Sequence, residues 1–446
     1  MVWRYGQSSQ LLKIVFIAFI LNLSATKAGN SEGYKWTDYI LRRSLSRKKR
    51  GSEWQPLYHF IILSFYHFPM KISIETAKLI DIIDIVTRFV AKNATLPILQ
   101  NLYFKASIDT LLLRATDMEK YVEIEMPCKV KVEGAITVNA KMFSDIIKTI
   151  EEKEVEFSVD QKSQVMTIKS AKDTFDINGI SASEYVALPE VPKENSLSLD
   201  TQMFAEGVSK VEYLVTEKNF SPVLTGVLLK AKEEKLIFVG TDSFRLAEFK
   251  TNSSLKDVEF GLIIPKVTMT DMQKIAEYAI AKECEEIQIQ YSENLIAFQI
   301  NLKDLKILAT SLLIQGNFPE YEREEIMPKT FNTTILVDKN LCEKAIRKIW
   351  ILTRDINNYI QIETTKDSIS ISSGKTDKGA GNTTIPAIIE GEPVSLGING
   401  KYITDFIKIA KGDEVVFNIV DSQKPMVLVD KDDASYRYVV RPLINS

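Results

Sequence analysis

One pattern recurs six times along this chain of 446 residues, and it constrains the fold more than any single motif. In MKISIETAKLIDIIDIVTRFV, from Met70, a short alternating strand runs into an acidic or polar residue and then into apolar residues at helical spacing. NSLSLDTQMFAEGVSKVEYLV from Asn195 and NTTILVDKNLCEKAIRKIWIL from Asn332 repeat it. A second variant lies between these, in GAITVNAKMFSDIIKTIEEKEVEFSVD from Gly134, FGLIIPKVTMTDMQKIAEYAIAKECEEIQIQYS from Phe260 and VSLGINGKYITDFIKIAKGDEVVFNIVD from Val394. Each of these leaves its helix for an alternating strand and a hairpin, with QVMTIKS, NLIAFQIN and PMVLVD supplying the next strands. Units therefore begin near residues 70, 136, 197, 262, 334 and 394. A unit that cannot bury its helix face alone must pack on its neighbours. Six β-α-β-β-β units pair into three similar α+β domains of about 120 residues each, predicted at 70–192, 193–328 and 329–446.

Residues 1–69 are built differently. They hold 10 Lys+Arg against 3 Asp+Glu, a local +7, which leaves −10 for the rest of a chain whose formal charge is −3. Both histidines, His59 and His67, and three of the four tryptophans precede Met70. LLKIVFIAFILNLSATKAG, residues 11–29, has the outline of a secretory signal: Lys13 is the one charge between Leu11 and Leu23, and Ser24, Ala25 and Ala28 follow. The apolar run is shorter than the roughly 20 residues of a membrane span. LRRSLSRKKRG (41–51) reads as a solvated basic segment, and HFIILSFYHF (59–68) carries no capping or turn signal. The region is expected to be a disordered extension, or sequence upstream of a native start at Met70. The competing expectation is a secreted or surface-attached β-rich binding protein with its mature N-terminus near Gly29 or Asn30.

Catalytic chemistry finds little footing. No histidine follows Met70, so acid–base work would rest on carboxylates and lysines. Cys128, Cys284 and Cys342 are odd in number and far apart, which suits reduced thiols and neither a disulfide framework nor a metal cluster. SGKTDKGAG (373–381) misses the phosphate-loop spacing, with Ile369 where a glycine is needed. Asp117 of ATDMEKY and Asp242 of GTDSFRL fall at equivalent places in two domains, which points to a structural role in the repeat. No enzyme, cofactor or metal is expected.

The helices carry recurrent basic residues: Lys78, Arg88 and Lys92; Lys141 and Lys148; Lys210 and Lys218; Lys266 and Lys274; Lys344, Arg347 and Lys348; Lys401, Lys408 and Lys411. In a segment of net −10 this recurrence predicts segregated charge, with a positive helix surface that attracts a polyanion and a negative surface elsewhere.

Ordered landmarks carry a resemblance. They are MKISI at 70, TLPILQNLYFKA at 95, ATDMEKYVE at 115, GAITVNAKMF at 134, SPVLTGVLL at 221, GTDSFRLAE at 240, GNFPEYE at 316 and YVVRPL at 438. From Met70 onward the chain resembles the bacterial sliding clamps, the beta subunits of DNA polymerase III. The resemblance implies a head-to-tail homodimer whose six domains close into a ring, with helices lining the hole and sheets forming the rim. It implies duplex DNA held without sequence preference, lysine to phosphate. It implies a cytoplasmic, nucleoid-associated protein with no membrane partner, and with polymerase, clamp loader and repair proteins as partners through short linear motifs.

The resemblance also assigns residues. Lys92, Asn93, Lys141, Lys218 and Lys266 are expected to face DNA. A peptide pocket is expected from Leu224, Thr241, Ser243, Phe244, Arg245 and Leu246, from Pro319 and Ile326, and from Asn399, Tyr402, Pro425, Val439, Val440, Arg441 and Pro442. A disordered segment with a few apolar anchors needs such a preformed greasy cleft with polar contacts at its edge. Phe175 and Ile177, with Ile351 and Leu352, are expected at the dimer interface. The chain departs from the family pattern at Ser221, where arginine is common, at Pro222 and Val223, where some clamps have tyrosines, and at Arg441, where methionine is usual. FPEYEREEIMP is two residues longer between its prolines than the common form. These departures predict a pocket in the same place with a shifted peptide preference.

Overall fold

The computed structural model describes residues 70–253, 255, 258–355, 357–375 and 377–443. The expectations for residues 1–69, including the signal-like stretch and the start site, lie outside the described residues.

The first domain comprises β1 (Met70–Glu75), α1 (Thr76–Val86), β2 (Asn101–Ser107), β3 (Thr110–Thr116), β4 (Lys120–Pro127), β5 (Lys129–Val132), β6 (Gly134–Asn139), α2 (Ala140–Ile147), β7 (Glu154–Asp160), β8 (Val165–Lys169) and β9 (Thr174–Ile180). The second comprises β10 (Asn195–Asp200), α3 (Thr201–Val211), β11 (Gly226–Lys232), β12 (Lys235–Thr241), β13 (Arg245–Lys250), β14 (Phe260–Pro265), α4 (Lys266–Ala281), β15 (Glu286–Tyr291), β16 (Leu295–Asn301) and β17 (Lys306–Leu312). The third comprises β18 (Thr333–Asp338), α5 (Lys339–Thr353), β19 (Tyr359–Thr364), β20 (Ser368–Ser372), β21 (Asn382–Pro386), β22 (Ile388–Gly391), β23 (Ser395–Asn399), α6 (Gly400–Ile409), β24 (Glu414–Ile419), β25 (Met426–Asp430) and β26 (Asp433–Val440). The six units start at Met70, Gly134, Asn195, Phe260, Thr333 and Ser395, each within two residues of the start read from the pattern.

Local chemistry explains the strand-to-helix turns. Asn139, Asp200, Asp338 and Asn399 accept hydrogen bonds from the first-turn amides of Met142, Met203, Leu341 and Lys401, so four of the six α-helices among the described residues have the expected side-chain cap. Glu75 does not cap α1; its carboxylate lies 3.3 Å from Lys78 instead. Helix α2 buries Ala140, Phe143, Ser144 and Ile147, the spacing of a single helix face. Phe143 then meets Phe104 edge-on at 4.8 Å. In α3, Gly207 leaves room for the Phe238 ring, which a Cβ there would approach to 2.5 Å.

Two of the sheets cross domain boundaries. A 13-stranded sheet runs β10-β15-β16-β17-β4-β3-β2-β6-β9-β8-β7-β1-β5, and a 9-stranded one runs β14-β11-β12-β13-β26-β25-β24-β18-β22. The first and second domains therefore join through β4 and β17, with Glu125 opposite Lys306. The second and third join through β13 and β26, with Leu246 opposite Val439. Pairing satisfies backbone groups that an isolated edge strand would leave open, so each joint is a continuous sheet.

The helices form a second layer. Within each domain the two pack together, α1 with α2, α3 with α4 and α5 with α6, and α1 also packs on α4. Lys411, just past α6, reaches Glu206 of α3 at 2.7 Å. The row thus runs α2-α1-α4-α3-α6-α5, one end in the first domain and the other in the third.

Candidate functional site

The joint between β13 and β26 carries a second, smaller apolar cluster. Leu228, Ile237, Val239, Leu246, Ile263, Val427 and Val439 come from the sheet, and Tyr321 and Met327 from the segment that links the second domain to the third. Residues that point into the main core alternate with these, so the strands are apolar on both faces here. Above this floor lies a cleft of about 670 Å³.

Three walls define the cleft. The β12–β13 hairpin gives Thr241, Ser243, Phe244 and Arg245; the loop between β24 and β25 gives Val420, Gln423, Lys424 and Pro425; the linking segment gives Phe318, Pro319, Tyr321, Glu324, Glu325, Ile326, Pro328 and Thr330. Leu224, Leu246, Val439 and Arg441 complete the lining. Phe244 is 58% exposed and Ile326 36%, so apolar surface stands open at the mouth. Arg441 is exposed, and its amide donates to the Phe244 carbonyl at 3.0 Å. Among the described residues its side chain has no ion-pair partner.

The hairpin is held by its own sequence. Asp242 Oδ1 accepts from the amides of Phe244 and Arg245, both at 3.0 Å, and Thr241 Oγ1 donates to the Arg245 carbonyl at 2.7 Å. Ser243 takes a left-handed φ of 79°. ATDMEK repeats the device: Asp117 Oδ1 accepts from Glu119 and Lys120, and Met118 has φ 79°. The structural reading of the two aspartates agrees with this.

Arg245 is the centre of the joint. Its guanidinium donates to Asp242 Oδ2 at 2.9 Å, to Asp405 Oδ2 at 2.8 Å and to the Tyr438 hydroxyl at 3.0 Å, and lies 4.5 Å from the Tyr402 ring centroid. Burial opposes the charge on Asp405, but hydrogen bonds from Lys401 and Arg245 hold its carboxyl below the usual range. On the linking segment, the Tyr321 hydroxyl donates to Glu248 Oε2 at 2.8 Å and Lys230 sits 4.6 Å over the Tyr321 ring. Glu322 accepts from Lys230 and, at 2.6 Å, from Lys232, and these bonds bring its carboxyl down to about 2.

Of the fifteen residues expected in the pocket, eleven line this cleft. Asn399, Tyr402, Val440 and Pro442 do not. Asn399 caps α6, Tyr402 lies against Arg245, and Val440 and Pro442 are buried. Phe318, Tyr321, Glu324, Glu325, Pro328, Thr330, Val420, Gln423 and Lys424 were not anticipated. The aromatic pair in GNFPEYE was the available signal for Phe318 and Tyr321.

The basic residues sort into two groups. Lys78 pairs with Glu75, Lys148 with Asp84, Lys274 with Glu277 and Arg347 with Glu343. Lys210 corrects the expected basic face: it is 3% exposed, donates to Asp433 Oδ2 at 2.6 Å and lies 4.3 Å from the Phe249 ring centroid. Lys92, Asn93, Lys141 and Lys218 are exposed and Lys266 is half-buried. Among the described residues these four lysines have no ion-pair partner.

Of the four residues expected at a dimer interface, Ile351 is 66% exposed at the end of α5, Leu352 and Phe175 are half-buried, and Ile177 is 1% exposed within its own domain's core. Among the described residues no cluster of His, Cys, Asp and Glu could hold a metal, and no helix is long and apolar enough to cross a membrane.

Three like domains joined by continuous sheets, with a helix row on one layer and an apolar cleft at a joint, place the chain in the class of DNA clamps. Models of the N-terminal, central and C-terminal domains of the DNA polymerase III beta subunit match residues 70–189, 198–320 and 324–444. The chain belongs to the DNA polymerase III beta subunit family. It is 26% identical over 384 residues to the beta sliding clamp of Staphylococcus epidermidis and 26% over 386 residues to that of Bacillus subtilis; each match covers 84% of this chain and 99% of the relative. The crystal structure of the Bacillus subtilis DNA polymerase sliding clamp superposes with a TM-score of 0.77 at 26% identity, over 85% of this chain and 100% of that one. The Thermotoga maritima beta subunit gives 0.78 at 22% identity, over 84% and 100%.

Proposed function

We propose that this chain is a DNA sliding clamp, a processivity factor without catalytic chemistry. Two copies close head to tail around duplex DNA, and the clefts tether the replicative polymerase, the clamp loader and repair proteins by short linear segments. The proposed domains are 70–192, 193–328 and 329–446, and the proposed place of work is the cytoplasm, at the nucleoid.

The selective pairing of the helix cations carries the DNA side of this reading. Paired lysines have spent their charge on neighbouring carboxylates. Lys92, Lys141, Lys218 and Lys266 have not, and with Asn93 they are the proposed phosphate contacts; Lys344 and Lys348, also unpaired among the described residues, lie on α5 at the end of the helix row. Charge on phosphate holds the duplex without reading bases, which lets a ring slide. The cleft supports the partner side: its apolar floor takes the anchors of a short segment, while the open hairpin edge and the charged rim fix its orientation. Phe175, Ile351 and Leu352 are the proposed apolar contacts between subunits; Ile177, 1% exposed in the core of its own domain, is not among these contacts.

The test is topological. Dimer loaded on nicked circular DNA should remain bound at a salt concentration that strips ordinary DNA-binding proteins, and should leave when the circle is cut once. Equal retention on linear and circular DNA would refute the clamp. Separately, Leu246→Ala should weaken a polymerase-tail peptide by about tenfold, since it empties the cleft floor; unchanged affinity would remove the cleft assignment alone.

A further inference from the structure

The helix row has two closed junctions, and they are built alike. In the first, Asp81 at the sixth position of α1 faces Lys282, just past α4, at 3.7 Å. In the second, Glu206 at the sixth position of α3 faces Lys411, just past α6, at 2.7 Å. Each junction thus sets the first helix of one domain against the end of the second helix of the next, with the acid on the first helix and the lysine after the second.

A further contact repeats. Asp271 and Asp405, at the sixth positions of α4 and α6, each receive a cation from the hairpin of the preceding domain, Lys120 and Arg245 respectively. Asp145 stands at the sixth position of α2. It is exposed, and among the described residues it has no ion-pair or hydrogen-bond partner. Among the described residues no domain precedes α2's own domain in the row, so its face is open to a neighbour that the described part of a single copy does not supply.

The two open ends carry reversed charges. The sixth position of α5 is Lys344 where the other first helices have acids. The residue three before β7 is Glu151, where Lys411 stands three before β24 and Lys282 four before β15. Lys344 and Glu151 are both exposed and, among the described residues, unpaired. We infer that Lys344 of one copy pairs with Glu151 of a second copy, closing an intermolecular junction of the same geometry and opposite polarity.

The polarity has a consequence. An end that presented an acid, like α1 and α3, would meet Glu151 with like charge. The reversal makes the third domain's end complementary to the first domain's end and sets it apart from the two internal junctions. The inference rests on the ring reading and specifies which face closes it.

The experiment is a charge exchange in the full chain, with the dimer dissociation constant read by sedimentation at low and at moderate salt. Lys344→Glu and Glu151→Lys should each raise the constant about tenfold at low salt, because both junctions of a ring change together and repulsion replaces attraction. The double exchange should return it to within about threefold of the parent. At protein concentrations below the parent's dissociation constant, where dimerisation does not contribute, thermal midpoints of the single variants should match the parent, since both positions are exposed. A parent dimer that neither single exchange weakens, or that the double exchange does not restore, overturns this pairing and leaves the ring intact. A parent that stays monomeric at high concentration overturns the ring and the pairing together.

Discussion

The Tyr321 hydroxyl donates to Glu248 Oε2 across 2.8 Å, which ties the segment linking the second and third domains to the strand that floors the cleft. Both residues are nearly inaccessible, 3% and 1% exposed. Glu248 Oε1 has only Lys250 Nζ, at 3.5 Å, and no hydrogen bond. Tyr321→Phe therefore leaves a buried carboxylate short of its one good donor, at a cost of about 1–3 kcal/mol. Urea unfolding should show a lower midpoint, and the same variant should bind a cleft peptide more weakly, because the wall that holds Phe318 and Ile326 loses its anchor.

Arg245 joins the hairpin of the second domain to α6 and β26 of the third. Its three partners and its stacking on Tyr402 use the planar fork of a guanidinium, so lysine cannot replace it. Arg245→Met should destabilise the chain by about 3–5 kcal/mol, as expected when one partner of a buried ion pair is removed. Arg245→Met combined with Asp405→Asn should recover part of that loss, measured by denaturant midpoints.

Salt dependence separates the unpaired lysines from the paired ones. Substituting Lys141, Lys218 and Lys266 by alanine together should reduce the slope of log affinity against log salt by about 0.9 for each phosphate contact removed, equally on DNA of any sequence. Lys274→Ala serves as the comparison, because that side chain is held by Glu277 at 2.7 Å. It should change the slope less.

The Arg441 side of the cleft rim should favour an acidic flank, while Glu324 and Glu325 carry the opposite charge on the linking segment. Arg441 is exposed beside an apolar floor, so Arg441→Met should weaken a peptide carrying an acidic flank by up to about 1 kcal/mol. A peptide with apolar anchors only should bind the variant as well or better. Isothermal titration of the two peptides against both proteins distinguishes these outcomes.

Glu322 makes stability depend on pH in a defined window. Its carboxyl falls from an ordinary 4.5 to about 2 in the fold, held down by hydrogen bonds from Lys230 and Lys232. An unfolded chain takes up that proton first, so the contribution is complete above 4.5 and is lost as the pH drops toward 2. The side chain is 39% exposed, and solvent screening keeps the effect small. Denaturant midpoints of Glu322→Gln should fall less steeply than those of the parent across that interval.

Much of the fold was legible because its information is local. Asp338 and its partner amide at Leu341 lie within one turn, and the burial of Phe143, Ser144 and Ile147 follows from spacing on one helix. The cleft was legible in part. Leu246 and Val439 could be placed through their motifs, but their position opposite each other on adjacent strands is set by which edges pair. Val440 carried the same motif signal and Tyr402 was assigned by the resemblance, yet they serve the packing behind Arg245 and β26 and do not line the cleft.

Lys210 and Lys218 mark the limit most clearly. They stand eight residues apart, and nothing near either distinguishes them. That six strand–helix units recur, where they begin, and which side chains turn and cap them can be read along the chain, since those depend on neighbours within a few residues. Long-range packing buries Lys210 on Asp433 while Lys218 stays without an ion-pair partner among the described residues, and it leaves Asp145 and Lys344 open at the ends of the helix row. A charge gains or loses its partner according to which distant segments are brought within a few ångströms, and no local pattern encodes that choice.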